Sequence, residues 1–360
     1  MAVIGGGVVG CAAAHFLAAA GASVELFERD EVGSAASGRN SGVLQHPFDR
    51  LMAALHHETL RILGDLEGFE LDPEPAGVLM LARERSLLEP AAAEITREVP
   101  ELQPRLLDRG EVAALEPSLA PGLVACRLHT GYPVRPAAVT RALARAAHLR
   151  GARFHEHETA WPWLGSGRAR GVISGGVRRA AGELLVAAGP WTPELVDPTR
   201  AWRPIEPVWG VVAELELAEP PRHVVEEAGI EGVAGGGTAA TAIFSAVTAD
   251  GVTSVGSTFL AARPDPETWT DRLRSAAAAF VPAAADARVA GVRACARPQS
   301  LDGRPLVGEL PGTHGLWVAA GHGPWGISTG AATGRIAADA ILGRERVPAA
   351  LAVARIPSAL

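Results

Sequence analysis

The residues best suited to chemistry stand at the start of this 360-residue chain, where Gly5-Gly6-Gly7-Val8-Val9-Gly10 has the spacing G-x-G-x-x-G. In such a turn Gly5 permits the tight reversal, Gly7 lets backbone approach a pyrophosphate, and Gly10 lets a helix pack closely on a strand. The unpaired N–H groups and the dipole at the helix start then favour negative charge. Glu28 closes the next strand-like run, where a carboxylate accepts hydrogen bonds from both hydroxyls of an adenosine ribose. Together they predict a dinucleotide without a 2′-phosphate, FAD or NAD. The bland alternative is a glycine turn beside a surface glutamate.

Two further stretches bear on which dinucleotide it is. Ser34-Ala35-Ala36-Ser37-Gly38-Arg39-Asn40-Ser41-Gly42-Val43 is rich in small and hydroxyl residues, able to run along a flat ligand while donating hydrogen bonds to its phosphates. Gly321-His322-Gly323-Pro324-Trp325-Gly326-Ile327 opens a helix directly after a strand. A helix N-terminus aimed at the pyrimidine edge of a flavin would stabilise the anion formed there on reduction. A polar loop and a packing turn would look the same, so these residues alone leave FAD and NAD open.

The elements needed to position these groups are legible. Ala2–Ile4 reads as a strand, Cys11–Ala20 as an alanine-dense helix ended by Gly21, and Ser23–Phe27 as a second strand. This βαβ unit predicts a parallel sheet with crossover helices. Ala53–Leu66, Glu84–Glu98 and Ala137–Leu149 have helical apolar spacing. Beyond Gly151 short strands follow glycine turns, at Ala152–His157, Gly171–Ser174 and Glu183–Ala188, and strand alternation appears in Val208–Leu217 and Val252–Phe259. The run Gly235–Gly237 lacks a preceding strand and reads as a loop. Leu316–Ala320 reads as a strand and the alanine-rich segment to Leu342 as a long helix.

Composition excludes several classes. A formal net charge of −7 argues against nucleic-acid binding, which demands a basic surface. Cys11, Cys126 and Cys295 are few and far apart, against a disulfide framework or a zinc-cysteine site, and fit a reducing, cytoplasmic setting. No metal ligand set is expected. No apolar run is long enough for a membrane span and no charged leader precedes the first strand, so neither an anchor nor a targeting segment is expected. Every basic side chain of the Lys/Arg type is arginine; the chain contains no lysine.

Over essentially its whole length the chain resembles the FAD-dependent amino-acid oxidoreductases of the D-amino acid oxidase superfamily, most of all the branch of glycine oxidase, sarcosine oxidase and D-amino acid dehydrogenase. The resemblance is carried by Ala2–Arg29, Ser34–Leu44, Val134-Arg135-Pro136, Val186-Ala187-Ala188-Gly189-Pro190-Trp191, Arg297-Pro298-Gln299-Ser300-Leu301-Asp302-Gly303-Arg304-Pro305 and the turn Gly321–Gly326, in that order. It implies non-covalent FAD held by Gly5, Gly7, Val8, Val9, Gly10, Glu28 and Arg29. From the following loop it implies Ala36, Ser37, Arg39, Asn40, Ser41, Gly42 and Val43. Further on it implies Ala160, Gly189 and the turn Gly321, His322, Gly323, Trp325, Gly326, Ile327 and Ser328. Arg297 falls where the family grips the substrate carboxylate; a guanidinium fork fixes such a group through two parallel hydrogen bonds. The structural alternative is an Arg297 paired with an acid such as Asp302.

The implied reaction passes hydride from the substrate α carbon to flavin N5, giving an imine that hydrolyses, with orientation and desolvation supplying much of the catalysis. Two departures stand out. Phe244 aligns with a tyrosine that glycine-oxidase-like members use as a second carboxylate ligand, and the lysine that sarcosine-oxidase-like members place beside the flavin has no counterpart. The acceptor, oxygen or another, therefore stays open, and no second dinucleotide fingerprint supports bound NADPH. His46 and His322 are candidate catalytic groups, each with a purely local alternative, and Cys295 is expected to be an inert thiol. Trp209 and Trp325, with Phe244, are expected near the substrate.

The expected architecture is α/β: a Rossmann-like FAD-binding domain with a parallel sheet (residues 1–80, 135–200 and 290–360) and an inserted α+β substrate domain on a mostly antiparallel sheet (81–134 and 201–289). Three rival readings remain: an FAD-dependent 2-hydroxy-acid dehydrogenase, which would need a histidine base; an NAD dehydrogenase, which would be colourless; and a non-catalytic flavin-binding sensor. Oligomeric state is not encoded in any of these features.

Overall fold

The computed structural model describes residues 1–199, 201–229 and 241–356; the run Gly235–Gly237 lies outside the described residues. Ala2–Ile4 is apolar and buried throughout, as a central strand covered on both faces must be. It pairs in parallel with Glu25–Phe27 on one side and Leu184–Val186 on the other. Arg153–His155 extends the sheet beyond Glu25–Phe27, and Leu316–Ala320 extends it beyond Leu184–Val186, both in parallel. Leu306–Glu309 adds one antiparallel edge. The expected strand–helix–strand opening is thus realised, with the helix at Val8–Ala19 and Gly21 in the left-handed region that follows its end.

A second sheet of eight strands is mostly antiparallel. Its spatial order is Arg288–Ser300, Ile205–Glu216, Val252–Phe259, Thr241–Ala249, Val224–Glu227, Val78–Ala82, Val124–Leu128 and Arg105–Leu107, and only Val224–Glu227 with Val78–Ala82 runs parallel. Val78–Ala82 and Arg288–Ser300 straddle the boundaries expected at residues 80 and 290, and both belong to this sheet. An antiparallel meander, Ala160–Gly165, Arg168–Ser174 and Val177–Ala180, lies between the halves of the parallel sheet in sequence.

The two ends of the chain meet at a helix pair. Val8–Ala19 packs against the closing helix Gly326–Ile341 through small residues. A β-carbon on Gly330 would stand 2.6 Å from Val8 Cγ1; one on Gly334 would stand 2.5 Å from Ala12 Cβ and 2.7 Å from the Val9 carbonyl oxygen. Only glycine permits that approach. Helix Arg50–Gly64, capped by the Asp49 carboxylate accepting from the Leu51 and Met52 N–H groups, packs on the far side of the closing helix, where the Ala332 N–H donates to Thr59 Oγ1 at 3.2 Å.

In an open helix interior Gly→Ala gains about 1 kcal/mol. At Gly334 the added methyl meets backbone, so overpacking wins, and Gly334→Ala should destabilise by about 1–3 kcal/mol. Thermal denaturation of the holoenzyme measures this; an unchanged or raised Tm would mean the two helices separate without cost.

Candidate active site

Both helix starts border one cavity. Gly7, Val8 and Val9 line it from the first helix; Gly326, Ile327 and Ser328 line it from the closing one. Neither helix has a capping side chain at its own N-cap residue or an acid in its first turn; at the first helix Ser37 takes the Val8 N–H and Glu28 the preceding Gly6 N–H, and the other N–H groups and the positive dipole ends are left to the cavity. The turn leaves no spare room: a β-carbon at Gly5 would run into the Ala187 backbone, and one at Gly10 into the Gly5 carbonyl. Such a bare cradle is suited to a diphosphate.

Glu28 lines the same cavity; its carboxylate accepts from the Gly6 N–H at 2.7 Å and the Asp30 N–H at 3.0 Å. Arg29 beside it lies over the Trp191 ring, 4.0 Å from the centroid. Ala36, Ser37, Arg39, Asn40, Ser41, Val43, Ala160 and Gly189 all line the cavity, and Ser37 Oγ accepts from the Val8 N–H at 3.0 Å. Gly10, Gly42 and Gly321 do not line it. They allow close packing instead: a β-carbon would press Gly10 on Gly5, Gly42 on the Val134 carbonyl at 2.5 Å, and Gly321 on Ser300 at 3.2 Å.

The far wall is the large sheet, through Val212, Ser245, Ser257, Phe259 and Arg297. Arg297 Nη1 donates to the Thr258 carbonyl at 2.8 Å and Nη2 to Ser257 Oγ at 3.2 Å, while its guanidinium stacks 4.5 Å from the Phe259 centroid. Gly210 makes space for it, since a β-carbon there would collide with the guanidinium. The acid expected as a structural partner is taken elsewhere: Asp302 pairs with Arg355 at 2.7 Å. Among the described residues no carboxylate forms an ion pair with Arg297. Burial pushes its pKa below the ordinary arginine value, yet a guanidinium remains charged at physiological pH.

The cofactor loop and this wall are stitched together. Arg293 Nη2 donates to the Asn40 carbonyl and to Ser254 Oγ, each at 2.9 Å, and Nη1 pairs with Glu214. Arg39 Nη1 reaches the Ala294 carbonyl at 3.5 Å.

Three expectations need correction. Phe244 does not face the cavity: it is 1% exposed and stacks on Phe280 with centroids 4.6 Å apart. Side chains alternate along a strand, so it is Ser245 that lines the wall. Trp209 likewise lies away from the wall; it pairs in register with Ala296, one residue off Arg297, and Arg263 covers its ring at 5.6 Å. His46 is buried, but its ring turns towards His56 and His57 rather than into the cavity. Its sequence neighbours Gln45 and Phe48 line the cavity instead. Trp325 and His322 do line it, Trp325 edge-on to Phe48.

Sequence reasoning missed Gln45, Glu226, Ser257 and Phe259. Gln45 Nε2 donates to Glu226 Oε2 at 3.0 Å across 181 positions, and no local pattern announces such a pair. Cys295 also lines the cavity, with its thiol pushed up by burial and so kept protonated.

A model of the FAD dependent oxidoreductase family (DAO) matches residues 1–340. The chain belongs to that family. FAD is accordingly its cofactor, and the cavity's helix starts and glycine cradle fit it. Among relatives, the chain is 31% identical to a glycine oxidase from Pseudomonas aeruginosa, over 94% of this chain and 93% of that one. Among solved structures it is similar to an iminodiacetate oxidase from Chelativorans sp. BNC1, with 25% identity, 98% of each chain covered and a TM-score of 0.84. A glycine oxidase from Geobacillus kaustophilus has the same fold, with 24% identity, 99% and 98% of the chains covered and a TM-score of 0.85. No helix of the described residues is long and apolar enough to cross a membrane.

Burial lowers the pKa of His322 to about 4. Burial above all, with the neighbouring His46 adding, lowers that of His56 to about 3. Both rings are neutral in the folded protein near pH 7. As pH falls below about 6.5 the unfolded chain binds protons that these rings refuse, so stability declines from pH 6.5 to about 4 and then levels off for His322. The full effect of His322 is on the order of 3 kcal/mol. Thermal melts between pH 8 and 4 should show this acid limb, and His322→Gln should flatten part of it; identical limbs in both proteins would mean His322 is not kept neutral.

Proposed function

We propose that this flavoenzyme oxidises the Cα–N bond of an amino acid or of a secondary amine that carries a carboxylate. The observation that carries this reading is Arg297, a buried guanidinium in the cavity wall, held by Thr258 and Ser257 and stacked on Phe259, with no carboxylate ion-paired to it among the described residues. A buried cation of that kind is completed by an anionic ligand, and a bidentate carboxylate suits its planar fork. Bound FAD supplies the two-electron acceptor for the substrate C–H bond.

The chain's own residues do the rest. The starts of Val8–Ala19 and Gly326–Ile341 would hold and polarise the anionic parts of the cofactor, and Glu28 would accept from its ribose. Arg297 orients the substrate, and Phe259, Val212 and Trp325 exclude water from the reacting bond. Glu226 and Gln45 place a carboxylate and an amide in the same wall, a setting that favours an amino group over a hydroxyl. The imine released would hydrolyse in water. A 2-hydroxy-acid oxidation needs a base, and the candidates are poor: His46 faces elsewhere, and His322 at about 4 is too weakly basic near neutrality. Non-covalent FAD fits Cys295, whose burial disfavours the reactive thiolate. The parallel sheet and its helices form the FAD-binding part, and the large sheet the substrate part.

Anaerobic flavin bleaching across glycine, D-amino acids, N-methyl and cyclic imino acids, with 2-hydroxy acids as the contrast, tests the reaction class. Reduction by hydroxy acids alone would overturn it. Arg297→Met should raise the apparent substrate constant on the order of 100-fold, as expected for loss of a charge-assisted pair, while FAD content stays at one per chain. Equal losses of substrate affinity and FAD would make Arg297 structural.

A further inference from the structure

Outside the flavin cavity, His46, His57 and Glu101 each offer one ligand atom, and these atoms all lie within 4.8 Å of one another. They come from three segments: the loop after Val43–Leu44, helix Arg50–Gly64, and the turn Pro100–Leu102. His46 Nε2 stands 3.8 Å from Glu101 Oε1, and the rings of His46 and His57 are 5.0 Å apart. His46 is 2% exposed, while His57 and Glu101 are exposed.

The protonation pattern of His46 is set by its surroundings. Nδ1 lies 2.5 Å from the Pro47 carbonyl oxygen. A carbonyl only accepts, so Nδ1 carries the hydrogen and Nε2 presents a bare lone pair. That Nε2 is buried and has no hydrogen-bond partner. A buried acceptor left unpaired costs free energy, and here it is aimed at a carboxylate, which cannot donate when ionised. The main chain fixes the ring further, through the His46 N–H donating to Thr130 Oγ1 at 2.9 Å. One ring nitrogen donating to a carbonyl while the other points at an imidazole and a carboxylate is the arrangement that holds a metal-bound histidine in place.

We propose that His46, His57 and Glu101 form a binding site for a divalent transition-metal ion, zinc by its donor set of two imidazoles and one carboxylate, with water as a fourth ligand. Ligand atoms around tetrahedral zinc stand roughly 3.4 Å apart, so closure requires His57 and Glu101 to move inward by about 1 Å, as exposed side chains can. The sparse cysteines of the chain argue only against thiolate sites. The ion would tie three segments together beside Gln45 and Phe48, which line the flavin cavity. The site is independent of the substrate proposed above.

The test uses chelator-stripped holoenzyme titrated with zinc chloride against a colorimetric competitor, with flavin content monitored throughout. One zinc per chain is expected in the wild type, together with a raised Tm. His57→Gln and Glu101→Gln, both surface changes, should each weaken binding at least tenfold and abolish the Tm shift, with flavin content unchanged. His46→Gln should abolish binding. Failure of the wild type to bind zinc, or equal affinity in the His57 and Glu101 variants, would overturn the proposal and leave a histidine–glutamate pair without metal.

Discussion

Val8–Ala19 and Gly326–Ile341 approach so closely that neither Gly330 nor Gly334 has room for a β-carbon. This contact between the first and last helices of the fold constrains everything around the cavity. Because the axes are locked side by side, their N-terminal ends emerge at one place, and neither N-cap residue supplies a capping side chain. Two partial positive charges converge where a single protein helix would normally find a Ser, Asp or Asn of its own. An anion placed between them is favoured by both ends at once, and the two ends belong to residues more than 300 positions apart in the chain.

The cavity is divided by the kind of structure that builds each half. The parallel-sheet half offers main-chain donors and glycine, suited to phosphates and a flat ring. The large sheet offers side chains on a stiff pleated surface: Arg297, Phe259, Ser257 and Val212 face inward from three adjacent strands. Recognition of a small charged molecule therefore rests on strand register, and cofactor recognition on turn geometry. The two demands fall on separate elements and can change separately.

That division explains what was legible in the sequence. Gly5–Gly10, Glu28 and the turn at Gly321–Gly326 act through local backbone geometry, which leaves its mark in spacing alone, and the helices and most strands followed from apolar periodicity. Side-chain direction on the large sheet did not. Phe244 and Trp209 were each displaced from a wall position by one residue, and one residue on a strand reverses the face. Gln45 with Glu226 could not be read, because the pair exists only once Val43–Leu44 and Val224–Glu227 are brought together. Asp302 was a plausible neighbour for Arg297 five positions away, until the fold delivered Arg355 to it.

Strand Arg288–Ser300 has a double attachment. Arg297 faces the cavity from it, and four residues earlier Arg293 grips the Asn40 carbonyl in the loop along the cofactor. The same strand thus carries a wall residue of the cavity and a brace on the loop that borders it. A slip of its register by one residue would therefore lose the cavity's guanidinium and the brace on the cofactor loop together.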